Sequence, residues 1–247
     1  MKTLSLVLAS VLLLAPIIIS YKENLNLEKD IIVSVLRAII QLFIIGYILE
    51  YIFKVQNKLL IIIMVTIIVT NASCNTVKKS ENINKSFFIS FIAIGISTFI
   101  IMSVLILSKA INFVPNEVIT VSGMVVSNSM IGINLCYRSI NSEFKNKKKI
   151  VEAKLSLGSS IKHASKDIIN ECIKTAMIPT LDSAKTLGIV SLPGTMTGLI
   201  LAGQSPLLAI KFQIMVTFMI VSATAISAII VSNLAYKSFF NDRYQLK

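Results

Sequence analysis

Seven long apolar runs occupy most of this sequence, and they constrain its fold more than any other feature. A bilayer core about 30 Å thick is crossed by roughly 20 apolar residues in a helix. Since 55% of the 247 residues are hydrophobic and only 15% are charged, we predict an all-α, polytopic integral membrane protein with about seven transmembrane helices. The whole chain, 1–247, is then one transmembrane domain. The runs cover residues 3–20, 31–53, 59–77, 87–108, 116–136, 175–202 and 207–235.

The net charge of +12 fits a membrane topology and requires no nucleic-acid partner. Placing 137–174 in the cytoplasm puts most of the 24 Lys and Arg residues on that side of the bilayer. Cytoplasmic loops carry such an excess of basic residues. We therefore predict a multi-pass protein with its N-terminus outside and its C-terminus in the cytoplasm. Residues 1–20 resemble a signal peptide but lack a convincing cleavage site, so we expect them to be retained.

The longest hydrophilic stretch, 137–174, contains a segment with helical periodicity. In KKKIVEAKLSLGSSI (147–161) we expect a basic amphipathic helix, which would lie on anionic lipid or dock a soluble partner. Glu152, Ala153 and Gly158, with Leu155 between them, are similar to the EAA loop that couples ABC-transporter permeases to their ATPase. The apolar residues that set the periodicity are Ile150, Val151, Leu155, Leu157 and Ile161.

The segment 178–213 is too polar and too interrupted to be a simple anchor. Ionisable side chains and broken backbone persist in a membrane only beside protein or water. Asp182 and Lys185, three positions apart, either neutralise each other or line an aqueous vestibule, and Gly194 and Gly198 would also let helices pack closely. We predict a translocation path or hinge here, formed by Asp182, Lys185, Gly188, Pro193, Gly194, Met196, Gly198, Gly203, Pro206 and Gln213.

The second run carries two polar residues, Arg37 and Gln41, on one helical face. Arg37 either reaches the membrane surface or forms a structural pair, or it belongs with Gln41 to the translocation path. We leave both alternatives open.

Motifs for catalysis or for resident cofactors are missing from the sequence. It has no phosphate-binding loop and no zinc-protease or nucleophile-elbow motif, so we expect a transport subunit without its own ATPase or cofactor. The three cysteines lack paired spacing and are expected to be reduced and buried. Asp182, Met124, Met130 and Met196 are conceivable transient metal contacts, but membrane methionines usually pack, and no firm metal site is predicted.

Three segments together resemble one family. They are R-x-x-x-Q-L-x-x-x-G-Y-x-L at 37–49, EAKLSLGSS at 152–160, and the long run at 178–213 that contains LPGTMTGLILAG. These are similar to the FetB-like family of iron-export ABC-transporter permeases, which also includes a plant membrane subunit linked to aluminium tolerance.

The resemblance covers essentially the whole chain. It implies a homodimeric permease in the bilayer of the bacterial plasma (inner) membrane, exporting metal (iron) from the cytoplasm. A separate ABC ATPase subunit would hold the ATP and Mg. The alternative is a stand-alone secondary transporter or channel for a small ion or solute, which would need no ATPase.

Overall fold

The computed structural model describes residues 10–55, 57–81, 83–241, 243, 245 and 246. This part of the chain is helical, with only two isolated bridges and no strand. Short 3₁₀ turns lie at Ser10–Leu13 and Tyr236–Phe239. The α-helices are α1 (Leu14–Lys22), α2 (Glu28–Val55), α3 (Lys58–Val77), α4 (Ser86–Leu107), α5 (Pro115–Asn146), α6 (Lys148–Ser156), α7 (Ile161–Ala164), α8 (Lys166–Thr186), α9 (Gly194–Leu201) and α10 (Pro206–Ala235).

The chain divides into two compact units, Met1–Gln56 and Asn57–Lys247, and each is described by itself. In the first unit, α1 packs against α2. Ser20 joins the two helices, because its Oγ donates to Glu28 Oε1 at 2.7 Å and accepts from the Leu27 N–H at 3.0 Å. That a single domain covers 1–247 stays a prediction.

The second unit is a bundle built around the pair α5 and α10. Helix α5 packs against α3, α4, α8 and α10, and α10 also contacts α4, α8 and α9. Gly132 lies where α5 and α10 approach each other, and a Cβ at that position would lie 2.9 Å from Thr224 Cγ2. The absence of a side chain at residue 132 therefore sets the distance between the two central helices.

Small hydroxyl side chains are buried among apolar ones in the interior of this bundle, and large apolar side chains cover its outside. Thr76 Oγ1 donates to Ser90 Oγ at 2.7 Å, and Ser90 Oγ lies 2.8 Å from the Tyr137 hydroxyl. On the outside, Phe99 and Leu107 are 74% and 83% exposed. Buried hydroxyls that bond between helices and an apolar exterior are typical of membrane helix bundles.

Among the described residues, five helices are long and apolar enough to cross a membrane, which confirms an all-helical polytopic protein. They are α2, α3, α4, α5 and the helix that runs from Pro206 to Phe239. The count of seven is not confirmed. Residues 3–9 of the first run lie outside the described residues, and the remainder belongs to a short apolar helix over Ser10–Lys22. The sixth run, 175–202, is not one continuous helix, since it is interrupted between α8 and α9.

The stretch 137–174, predicted to be a cytoplasmic coupling loop that contains an amphipathic helix, is mostly helical. Helix α5 continues to Asn146, and α6, α7 and the start of α8 fill most of the rest. Residues 133–157 contain no glycine or proline that would end a helix. Helix α5 is therefore followed by α6 with only Lys147 between them.

Candidate functional site

Helix α6 contains the EAA-like residues and ends at Gly158. The Gly158 N–H donates to the Leu155 carbonyl at 2.9 Å, and the Ser159 N–H donates to the Lys154 carbonyl at 3.1 Å. This pair of bonds is the Schellman arrangement, which needs a left-handed residue after the helix. Gly158 supplies it with a φ of +87°. The glycine of the motif therefore fixes where α6 stops.

The predicted amphipathic helix is present, but its apolar residues do not share one face. Val151 is buried, and Leu155 and Ile161 pack against the core of the second unit. Ile150 and Leu157 point outward and are 54% and 87% exposed. Helical spacing alone does not tell which apolar residues meet the core. Besides Lys148 and Lys149, the exposed residues of α6 and its C-cap are Ile150, Glu152, Ala153, Ser156 and Leu157, which we call the exposed α6 face.

An ion pair ties α6 to the beginning of α8. Lys154 Nζ lies 2.7 Å from Asp167 Oδ2. The Lys154 ammonium lowers the pKa of the Asp167 carboxyl below its ordinary value of 3.8, first through the hydrogen bond and then through its charge. Because the pKa is lowered in the folded chain, the pair persists at neutral pH and is lost only as the pH falls through that lowered pKa.

Replacing Asp167 by Asn should loosen α6 slightly without unfolding the bundle. Exposed ion pairs are weak, so we expect amide exchange in the peptide covering α6 to rise about two- to five-fold. Hydrogen–deuterium exchange followed by mass spectrometry measures this rate. Glu171→Gln is the control, because Glu171 pairs with Lys174 on the same helix. An equal rise in both variants would contradict a tie between α6 and α8.

The backbone breaks between α8 and α9, at the residues predicted to form a hinge. Gly188 has a φ of +80°, and its N–H donates to the Ser191 carbonyl at 3.0 Å. Pro193, which has no N–H, immediately precedes α9. These two residues explain why 175–202 is not one helix.

A second break separates α9 from α10. Gly203 has a φ of +87° and ends α9 with the same Schellman pattern that ends α6. Pro206 then opens α10, with the Ser205 hydroxyl accepting from the Leu208 N–H. Gly194 and Gly198 lie inside α9, and a Cβ at either one would have nothing within 4 Å. Close packing at these two glycines is therefore not seen within the described part of one chain, and it stays a prediction.

A pocket of about 330 Å³ with a mainly apolar lining and a few polar side chains lies beside the first break. Pro193 and Gln213, both predicted site residues, line it. Thr195 on α9 donates a hydrogen bond to Gln213 on α10, which joins the short helix to the long one. Met196 on α9 is half-buried and is not among the lining residues. The pocket offers hydroxyl and amide groups to a solute and contains no charged side chain among its lining residues.

Sequence reasoning missed four further polar residues that line this pocket. They are Asn128 on α5, Thr180 and Ser183 on α8, and Thr217 on α10. Asn128 is an amide within an apolar run, which is a detectable signal, since polar groups in a membrane span are costly. Threonines are common in membrane helices, and only the packing of α5, α8 and α10 brings these residues together.

The charged residues of the predicted path do not join this pocket. Asp182 and Lys185 form an ion pair at 2.9 Å, and both are exposed, which supports mutual neutralisation. Arg37 and Gln41 lie on α2 in the first unit, where both are exposed. Within the second unit, Pro193 and Gln213 therefore line the pocket, whereas Asp182 and Lys185 do not.

Metal-ligating residues do not cluster in the part of the chain that the structure describes. No group of three or more His, Cys, Asp or Glu side chains occurs among these residues. Met130 packs against the core, as expected for a membrane methionine. Cys136 and Cys172 are free and buried, whereas Cys74 is free and exposed, so burial was predicted correctly for two of the three.

The helical architecture, the apolar exterior and the broken segment define a polytopic membrane protein. Residues 3–240 match the model of a family described as an uncharacterised protein family, UPF0014, and the chain belongs to that family.

Curated relatives span nearly the same length. The chain is 50% identical over 242 residues to the probable iron export permease protein FetB of Escherichia coli, covering 98% of this chain and 93% of that protein. It is 38% identical to the UPF0014 membrane protein YjkA of Bacillus subtilis, covering 100% and 99%. It is 35% identical to the protein ALUMINUM SENSITIVE 3 of Arabidopsis thaliana, covering 97% and 88%. No solved structure matches the chain. The family predicted from the sequence is confirmed.

Proposed function

We propose that this chain is the membrane-spanning permease subunit of an ABC transporter that exports iron from the cytoplasm, driven by a separate ATPase subunit. The observation that carries the proposal is the exposed α6 face, a short helix with unpartnered Ile150 and Leu157 beside the EAA-like Glu152 and Ala153. The 50% identity to a protein named as a probable iron export permease supports the cargo and the direction.

The exposed α6 face has the chemistry of a docking surface for a soluble partner. Exposed large apolar side chains with polar neighbours are typical of protein–protein contacts. The opposite side of the helix is fixed, because Val151 is only 1% exposed and Leu155 packs against the core. A partner that pushed on α6 would therefore move a helix that is held to the bundle rather than a loose loop.

The connection from α6 to the broken segment supports a mechanical role. Helix α6 is joined to α8 through Gly158, through α7 and through the Lys154–Asp167 pair. Helix α8 packs against α5 and α10 and ends at the break that precedes Pro193. Domain motions concentrate at such non-helical junctions between rigid elements. ATP binding by the partner would move α6 and α8 and would change the pocket at Pro193 and Gln213.

The assembly that we propose is a homodimer of this chain with ATPase subunits on its cytoplasmic side. ATP and Mg would be held by the partner, and the cargo would leave through a path that the two copies line. The N-terminus would be outside and the C-terminus in the cytoplasm. Seven spans would require the short helix over Ser10–Lys22 and the α8–α9 segment to cross the bilayer as well.

The test is transport in proteoliposomes with and without the cognate ATPase. We expect ferrous iron, followed with an iron-quenched fluorophore, to move only when this chain, the ATPase and MgATP are all present. A catalytically dead ATPase is the matched control. ATP-independent movement by this chain alone would contradict the proposal and would favour the stand-alone transporter or channel.

A further inference from the structure

A basic cavity of about 590 Å³ lies at the end of the bundle where α5 meets α6. Four cationic side chains line it, together with one acidic side chain, Glu81. The cations come from three segments of the chain. Lys79 follows α3, Arg138 and Lys145 lie on α5, and Lys148 opens α6. The fold therefore collects positive charge that is dispersed along the sequence.

Most of this charge is unpaired within the described part of the chain. Lys148 approaches Glu152 only at 3.9 Å, and Lys79, Arg138 and Lys145 take part in none of the ion pairs found there. Unpaired cations in a concave site raise the local concentration of anions. The cavity thus has the electrostatics of an anion site.

The depth of the cavity places it at the membrane surface. At about 1.5 Å per residue, Arg138 lies about 3 Å and Lys145 about 14 Å beyond the end of the apolar run at residue 136. The headgroup layer is about 5–8 Å thick on each side of the hydrocarbon core. The cavity therefore begins at the height of lipid phosphates.

The remaining lining suits a lipid more than a free anion. Phe144 and Phe239 line the cavity, and their rings stack with centroids 4.2 Å apart. Asn141 also lines it, and its buried Oδ1 has no hydrogen-bond donor among the described residues. A headgroup hydroxyl is a donor of the kind that this oxygen lacks.

We propose that this cavity binds the phosphate and hydroxylated headgroup of an anionic phospholipid. The phosphate would contact Arg138, the headgroup beyond it would extend toward Lys145, and an acyl chain would leave toward the apolar outside of the bundle. Basic pockets between helices at the membrane surface bind anionic lipid headgroups in this way. The site is separate from the pocket at Gln213 and does not depend on the proposed transport function.

The test is lipid binding by the full chain purified in neutral detergent, measured by native mass spectrometry. The ligands are dioctanoyl-phosphatidylglycerol, dioctanoyl-phosphatidylcholine and glycerol 3-phosphate. We expect selective binding of phosphatidylglycerol and about a ten- to thirty-fold weaker affinity in Arg138→Gln/Lys145→Gln. The matched control is Lys149→Gln/Lys162→Gln, which removes two exposed cations that do not line the cavity.

A second variant keeps the test informative if the double variant folds poorly. Lys79→Gln changes a residue in the connection between α3 and α4. We expect this variant to lose affinity for phosphatidylglycerol as well, but less than the double variant. Equal losses in the cavity and control variants would overturn the site. Equal binding of phosphatidylcholine would overturn its selectivity for anions. Binding of glycerol 3-phosphate as tight as that of the lipid would overturn the assignment to a membrane lipid.

Discussion

A chain carrying Glu152→Lys should insert into the membrane normally and lose at least about ten-fold of its stimulation of the partner ATPase. Glu152 is on the exposed α6 face and lies beside Ala153 in the EAA-like motif. Reversing a charge at a docking surface places like charges against each other, which costs affinity without disturbing the fold of the free chain. The measurement is ATP hydrolysis by the reconstituted complex, at equal amounts of both subunits.

Glu171→Lys is the matched control for this prediction. The two glutamates are 49% and 47% exposed, and each has a lysine nitrogen at 3.9 Å on the same helix. Only Glu152 lies on α6. If both variants lose stimulation equally, or if Glu152→Lys keeps full stimulation, α6 is not the coupling element.

Replacing Gly132 by Ala should destabilise the bundle by about 1–3 kcal/mol, in the range of an overpacked core. The new Cβ would lie 2.9 Å from Thr224 Cγ2, so α5 and α10 would have to separate. Thr224 cannot rotate away without loss, because its Oγ1 donates to the Ile220 carbonyl at 3.0 Å. The free energy of unfolding in mild detergent measures the effect.

Two further variants show whether contact with the Thr224 methyl group causes the loss of stability in Gly132→Ala. Gly123→Ala on the same helix should be neutral or stabilising, because a Cβ there has no atom within 4 Å and alanine favours the helix. Thr224→Ser removes Cγ2 and keeps the hydroxyl, so Gly132→Ala/Thr224→Ser should regain most of the lost stability. A double variant as unstable as Gly132→Ala alone would place the strain elsewhere.

The sequence predicted most of the helices and the family, but not which side chains contact each other between helices. Apolar runs and the spacing in 147–161 are local patterns, and they located α2, α3, α4, α6 and α10 closely, whereas α5 continues to Asn146, past the end of its apolar run at residue 136. The left-handed turns at Gly188 and Gly203 were also detectable, because glycine and proline mark breaks in a helix. Which apolar residues of α6 face inward depends on its neighbours, so the spacing alone did not separate Val151 and Leu155 from the exposed Ile150 and Leu157.

The candidate pocket was predicted only in part, for the same reason. Pro193 and Gln213 lie in the segment that the sequence singled out, whereas Asn128 and Thr217 come from α5 and α10. Nothing in the local sequence of an apolar helix specifies its partner. The separation of Asp182 and Lys185 from the pocket likewise follows from packing, since their spacing allowed both alternatives.

The length of α5 has a mechanical consequence. Its 32 residues make a rod about 48 Å long, which exceeds the bilayer core by about 18 Å. Tilting the whole helix by about 5° about one end displaces the other end by about 4 Å. Helix α5, which crosses α10 at Gly132, can therefore act as a lever. A small rotation of the helix inside the membrane would move its far end, and with it α6, by a few ångström.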